Sequence, residues 1–505
     1  MSLATIRSRA LLGVDAIEVT VETHLSNGLP AFAIVGLPET AVKESKERVR
    51  SAIINSGLEF PTRRITVNLA PADLPKAGGR YDLAIALSIL VASGQLEHKL
   101  LEGMEVLGEL ALDGCIRAVQ GTVAAILAAK RASRAILLPA ANSEELELVA
   151  YGRSFAASTL VEIAQRLPAG MPASDFGGRR QVQHAVQERS FGHIKGQLVA
   201  KRAVQIAAAG GHNLLMVGPP GSGKTLLANL LMDLLPRLSE AEALEVATIK
   251  SAARENIAGG DWSIRPIRSP HHTATSVALV GGGNRISPGE ISLAHRGVLF
   301  LDELSEFKPS VLDALREPLE SGVISVSRAN YRVSFPASFQ LLAAMNPCPC
   351  GYASDPNHEC RCSDDRIERY LGKLSGPFLD RVDLIVEVPA LSQVELLQEK
   401  EDTVDWKALR SRIHRCRDLQ LRRGGKLNSQ LQLQEMDAAC SLDTKQRSKL
   451  AGIMDKLAMS ARATHRIIKM ARTVADFEGS TEIRERDLME AISYRRCHFS
   501  KLITR

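Results

Sequence analysis

The chain has 505 residues, 45% hydrophobic and 24% charged, a globular balance that excludes a disordered or collagen-like polymer and requires several folding units. Its formal charge of +6 leans toward an anionic partner such as nucleic acid, and its eight cysteines are not spread as in a secreted disulfide framework, because four crowd between positions 348 and 362. The opening MSLATIRSRALLG lacks the apolar run of a signal peptide and no segment holds ~20 uninterrupted apolar residues, so the expectation is a cytoplasmic chain with no membrane partner.

Residues 1–166 alternate β-branched stretches, Ile17 to Thr23 and Arg64 to Leu69, with helical patterns, Glu39 to Asn55 and Tyr81 to Ala92. That alternation reads as an α/β domain. Residues 167–190 are rich in Pro, Gly and charge and poor in large apolar side chains, as a linker is. From 191 to 390 the order is helix (Gln197 to Ala209), apolar strand (Asn213 to Val217), Gly-rich loop, helix and a further apolar strand (Gly297 to Leu301). This order predicts a doubly wound parallel sheet built around a nucleotide. Residues 391–505 lose strand signals and carry amphipathic helices such as WKALRSRIHRCRDLQLRR and SARATHRIIKMARTVADF, which predicts a helical lid. The fold class is therefore multidomain α/β.

Gly218-Pro-Pro-Gly221-Ser222-Gly223-Lys224-Thr225 is a complete phosphate-binding loop between the strand NLLMV and the helix TLLANLLMDLL. Glycines allow backbone N–H groups to turn around phosphate oxygens, Lys224 reaches the β- and γ-phosphates, and Thr225 offers its hydroxyl to magnesium. These residues predict ATP and Mg2+ as cofactors. Val298-Leu-Phe-Leu-Asp302-Glu303 runs four apolar residues into two carboxylates. Behind such a loop, Asp302 is expected to hold magnesium through water and Glu303 to act as general base on the attacking water. Asn346 ends the apolar strand FQLLAAMN, where its amide orients that water or caps a turn before Pro347.

Cys348-Pro-Cys350 and Cys360-Arg-Cys362 form a C-x-C-x9-C-x-C cluster with His358 alongside. Four thiolates so close satisfy a tetrahedral structural zinc, with free or redox-labile thiols as the other reading. By spacing alone Arg381, in GPFLDRVD, is either a salt-bridged surface residue or an arginine supplied to a neighbour's γ-phosphate. Arg462, at helical spacing from Arg466 and Lys469, is either a phosphate sensor of the lid or part of a basic face.

Long segments carry a family resemblance over nearly the whole chain: GLPAFAIVGLPETAVKESKERVRSAI, RRITVNLAPADLPKAGGRYDLAIAL, KGQLVAKRAVQIAAAGGHNLLMVGPPGSGKT, SPHHTATSVALVGGG, ISPGEISLAHRGVLFLDELSEF, MNPCPCGY, SGPFLDRVDL and SARATHRIIKMART. The chain resembles the magnesium-chelatase-like AAA+ family in its competence-associated ComM/YifB branch. That resemblance implies a Lon-protease-like (ribosomal S5-like) N-terminal domain, an AAA+ core with insertions and a helical C-terminal domain. It implies a hexameric, ATP-driven DNA helicase for branch migration, with Arg381 similar to the arginine finger and Arg462 to the second sensor. His193 stands where relatives often carry an acidic residue near adenine. The stretch Lys76-Ala-Gly-Gly-Arg-Tyr-Asp-Leu83 has Tyr and Asp near the place of a Lon-type serine, so peptidase activity is not expected.

Thr225 and Asp302 lie 77 positions apart, more than a bare core needs, and Gly322 to Phe335 reads as a β-hairpin. By resemblance to MCM-like rings these excursions face a pore, where His271, His272, Thr273 and Arg328 would touch DNA phosphates independently of sequence; the bland reading is a capped insert and a solvated hairpin tip. Two other functions compete with a DNA motor. One is a magnesium-chelatase-type subunit driving a separate metal-inserting partner, weakened by the extra N-terminal domain. The other is a protein-remodelling ATPase, for which no aromatic pore-loop motif is present.

Overall fold

The computed structural model describes residues 3–36, 42, 44–169, 195–255, 257, 262–283, 286–327, 332–355, 358–392, 405–456 and 459–495. Residues 170–194, which include His193, and residues 328–331, which include Arg328, lie outside the described residues.

The N-terminal part is a seven-stranded mixed sheet in the order β3-β4-β2-β1-β5-β8-β9. Its strands are β1 (Leu3–Leu12), β2 (Asp15–Ser26), β3 (Ala31–Val35), β4 (Arg64–Ala70), β5 (Met104–Val106), β8 (Ala135–Pro139) and β9 (Ser154–Ala157). A small pair, β6 (Glu109–Leu110) and β7 (Ile116–Arg117), stands apart. β1 alternates exposed and buried positions over its first six residues, the period-two signature of a sheet with one face on a core. Helix α1 (Ser45–Asn55) covers that face together with α2 (Asp82–Ala92), which is apolar on nearly all sides and buried at every residue. Its polar exceptions are paired: Ser88 Oγ lies 2.5 Å from Thr23 Oγ1, and Asp82 accepts from Ser45 Oγ and Arg48. α3 (Thr122–Arg131) packs on the opposite face.

The second part is built on five parallel strands ordered β11-β14-β17-β10-β18. These are β10 (Leu214–Val217), β11 (Ile267–Arg268), β14 (Val298–Leu301), β17 (Gln340–Met345) and β18 (Leu384–Glu387). β10, β14 and β17 are buried throughout, as a sheet covered on both faces requires. Leu214 and Met216 point into one core with α4 (Leu198–Gly210) and α5 (Lys224–Leu234), while Leu215 and Val217 point into the other. Two ribbons project from this unit: β12 (Gly281–Gly282) with β13 (Ser287–Pro288), and β15 (Val323–Ser327) with β16 (Arg332–Pro336). After β18 no strand occurs among the described residues; α7 (Trp406–Gly424), α8 (Ala461–Phe477) and α9 (Glu485–Ser493) share the first of those cores.

α6 (Glu240–Ala253) ties the two parts together. Its C-terminal end receives Gly121 N on Ser251 O at 3.1 Å, and Ser251 Oγ donates to Glu145 at 2.7 Å. Near its middle Glu245 accepts from Arg296 at 2.8 Å, just ahead of β14.

Candidate nucleotide site

The strand register brings the phosphate-loop residues together. Val217 ends β10 beside Met345 of β17, and Leu301 of β14 pairs with Ala343. Gly218, Asn346 and Asp302, each one residue past its strand, therefore lie along the same carboxyl edge of the sheet. Gly218 N donates to Met345 O at 3.2 Å, and a side chain at Gly218 would meet Val388 O at 2.1 Å, so only glycine lets the loop turn there.

Gly221 and Gly223 have φ of +75° and +91°, and a Cβ built on either would meet nothing within 4 Å. The loop thus curves around open space at the start of α5, where helix dipole and free N–H groups favour an anion. Ser222 is buried, and its Oγ has no hydrogen-bond partner among the described residues. Lys224 folds across the loop, donating to Gly218 O at 2.7 Å, Pro219 O at 2.8 Å and Asn346 Oδ1 at 3.2 Å. Burial depresses its pKa, partly offset by the charge of Asp302. A buried ammonium held by carbonyls and an amide, with an orphaned hydroxyl nearby, has the donor set of a polyphosphate cradle.

Glu303 is a non-glycine residue at φ +51°, a backbone conformation that costs on the order of 1 kcal/mol and concentrates at working sites. Its carboxylate is exposed and lies 3.0 Å from His272 Nδ1, while its N–H donates to Asp302 at 2.9 Å. The rings of His271 and His272 are 4.1 Å apart, and His271 Nδ1 bonds Thr273 Oγ1 at 2.9 Å. The excursion after β11 therefore reaches the carboxylate pair, a contact that no local spacing announces.

Arg381 and Arg462 meet at one residue that sequence reasoning missed. Glu320 lies 2.8 Å from each, one carboxylate oxygen per guanidinium. Arg381 is buried and also donates to Arg316 O at 3.0 Å and Pro377 O at 2.5 Å, whereas Arg462 is exposed. Arg466 and Lys469 go elsewhere: Arg466 pairs with buried Asp383, and Lys469 donates to Ser429 O at 3.3 Å. Burial alone would raise the Asp383 carboxyl, but Arg466 and His212 outweigh it and hold it well below the usual carboxylate range. Asp383 in turn receives Asn213 N at 2.8 Å, at the foot of β10.

The four cysteines converge. Sγ separations are 3.3 Å for Cys348–Cys350, 3.7 Å for Cys348–Cys360 and 3.6 Å for Cys350–Cys360, and Cys362 completes a set within 4.8 Å. Tetrahedral thiolates about 2.3 Å from a zinc ion stand about 3.8 Å apart, so the set fits one ion. His358 is outside it, bonded to Asp355 at 2.9 Å. This loop abuts the phosphate loop, since a Cβ on Gly351 would fall 2.6 Å from Pro220 Cδ.

In the N-terminal domain Lys76, Arg80 and Asp82 are all buried; Lys76 donates to Pro71 O and Arg48 to Asp82 at 2.7 Å. Burial lowers both the Lys76 and Arg80 pKa values.

Comparison with known proteins places this arrangement. The family described as "Magnesium chelatase, subunit ChlI" matches residues 190–396, "Subunit ChlI of Mg-chelatase" matches 21–142, and "Magnesium chelatase, subunit ChlI C-terminal" matches 405–495. The chain is 47% identical over 506 residues to "Competence protein ComM" of Haemophilus influenzae, covering 98% of each chain. The chain belongs to the magnesium-chelatase-like ComM/YifB family. "Uncharacterized protein YifB" of Escherichia coli K12 is 46% identical over 518 residues, with each chain covered fully. A more distant likeness, 26% over 186 residues, links it to "Lon protease 2" of Bacillus subtilis, covering 32% of this chain and 34% of that one. Membership in this AAA+ family implies an ATPase, and among the described residues no helix is long and apolar enough to cross a membrane.

Proposed function

We propose that the chain is an ATP-driven DNA motor that moves branch points during homologous recombination in natural transformation, working as a hexameric ring. The observation that carries this reading is the full-length 47% identity to a competence protein, joined to a nucleotide site whose parts share one sheet edge. ATP with Mg2+ supplies the hydrolysable γ-phosphoryl bond. The N–H groups around Gly221 to Thr225 and the Lys224 ammonium hold phosphate oxygens. Thr225 and Asp302 hold magnesium, Glu303 takes the proton of the attacking water, and Asn346 orients that water. Arg381 reaches a neighbour's γ-phosphate once Glu320 lets it go, which makes turnover depend on assembly, and Arg462, once released from Glu320, acts as the lid's phosphate sensor. His271, His272, Thr273 and the hairpin bearing Arg328 meet DNA phosphates, so contact of His272 with DNA would release Glu303.

The four cysteines hold a structural zinc that stiffens the loop against Pro220. In this reading 1–166 is a Lon-like domain without a peptidase site, 167–190 a linker, 191–390 the AAA+ core and 391–505 the helical lid, in a cytoplasmic protein. The family names also favour a second reading, a motor subunit for a metal-inserting partner. ATPase assays with forked or single-stranded DNA separate the two. A DNA motor responds with a several-fold higher rate, while a rate indifferent to every DNA offered would sink the DNA reading and leave the chelatase-type reading.

A further inference from the structure

Helix α7 packs one face on the core, while the arginines of its other face have no role in the nucleotide site. Together with the end of α8 it walls an open groove of about 740 Å³. Five arginines and two carboxylates line it, and the hydrogen bonds show which charges remain. Asp476 is taken by Arg423 at 2.6 Å and by Arg472 at 2.8 Å. Glu478 is taken by Arg412 at 2.9 Å and Arg202 at 2.8 Å, and Arg412 also stacks on Phe477 at 4.1 Å. Arg415 and Arg422 remain, exposed and with no ion-pair or hydrogen-bond partner among the described residues. Two uncompensated cations on one wall make the groove an anion site with its internal charges already satisfied.

Spacing selects the anion. Arg415, Leu419 and Arg422 follow one another at i, i+4 and i+7, so they share one face of α7. The two arginines are about 10 Å apart along the helix axis, the length of roughly three nucleotides stacked at 3.4 Å. Leu419 between them is 47% exposed and offers an apolar surface to a base. A groove of this size admits a short stretch of about three nucleotides of a single strand, whereas a duplex would touch only its rim. Asp418 on the same helix is not part of the lining.

We propose that this groove binds the phosphodiester backbone of single-stranded DNA, as a second contact separate from the phosphate loop and the β15–β16 hairpin. The inference rests on the DNA-motor reading and adds a site to it. The groove makes two phosphate contacts through Arg415 and Arg422, with no sequence preference.

The test uses the full chain and its R415Q/R422Q variant, with an oligothymidylate followed by fluorescence anisotropy from 50 to 200 mM salt. Each phosphate contact to a single strand adds about 0.7 to the slope of log affinity against log salt. The variant is therefore expected to lose about 1.4 from that slope and roughly twentyfold in affinity at 0.1 M salt, while its DNA-independent ATPase and thermal unfolding stay at the level of the unaltered chain. An unchanged slope in a variant that folds and hydrolyses ATP overturns the groove and leaves the DNA-motor reading standing. Loss of ring assembly with an unchanged slope also overturns it, in favour of a subunit contact. Displacement of the oligonucleotide by polyglutamate as readily as by unlabelled oligonucleotide overturns it in favour of an acidic protein partner. If the unaltered chain binds no DNA, both the groove and the motor reading fall.

Discussion

In the proposed mechanism Glu303 and Lys224 serve different steps of one chemical event, so their substitutions have different signatures. Lys224→Ala removes the buried ammonium that holds the phosphate loop, so nucleotide binding is lost; Glu303→Gln keeps the cradle and loses turnover by roughly a hundredfold or more. Equilibrium binding of a fluorescent ATP analogue beside single-turnover hydrolysis separates them, and equal loss of binding in both variants contradicts the role given to Glu303. Asp383 is a structural counterpart. Its depressed pKa means that its contribution to stability is complete above the unfolded value near 4 and is lost as the pH falls toward the lower folded value. Asp383→Asn leaves Arg466 without its partner, at a cost of about 3 kcal/mol at neutral pH, and flattens the acid limb of a pH–denaturation profile. The residues legible in the sequence were those whose spacing is local: the loop from Gly218 to Thr225, the Asp302-Glu303 pair and the cysteines. Glu320 is not legible in the sequence because its partners, Arg381 and Arg462, are distant from it along the chain, and the contact of His272 with Glu303 is not legible because nothing in SPHHT points to it.

Elements were legible where hydrophobic period and length agreed. The pattern placed a helix from Tyr81 to Ala92, and α2 spans Asp82–Ala92; the hairpin expected from Gly322 to Phe335 is β15 and β16. The helix expected from Glu39 to Asn55 is α1 from Ser45 onward, residues 37–41 and 43 lying outside the described part. What period could not supply was which loops touch. The cysteine loop packs through Gly351 on Pro220 of the phosphate loop and follows directly from Asn346. In the proposed reading, a zinc ion held by this loop would brace both the cradle and the amide. Elemental analysis is expected to find about one zinc per chain, lost in the variant carrying Cys348→Ser and Cys350→Ser, with weaker ATP binding as a consequence. A metal-free chain with full ATP affinity contradicts that coupling.

At the scale of the molecule, α6 links the N-terminal sheet to the start of β14, and the β1–β2 turn at Gly13 lies against Val333 of the hairpin. Neither docking was readable, because both join surfaces far apart in sequence. Within one chain the Arg381 guanidinium is occupied by Glu320 and two carbonyls, and the proposed ring gives it a nucleotide to reach in a neighbouring subunit. Rings mixed from Arg381→Ala and Glu303→Gln subunits are expected to regain part of the hydrolysis that each variant lacks alone, since some interfaces pair an intact arginine with an intact base. No rescue in rings shown by native mass measurement to be mixed contradicts a shared site. The most direct measurement of the central claim is movement of the branch point in a synthetic four-way DNA junction by the purified chain. The account predicts that the branch point moves with ATP and Mg2+, stops with the Glu303→Gln variant, and slows steeply as salt rises. A chain that assembles and hydrolyses ATP yet leaves every junction where it began contradicts it.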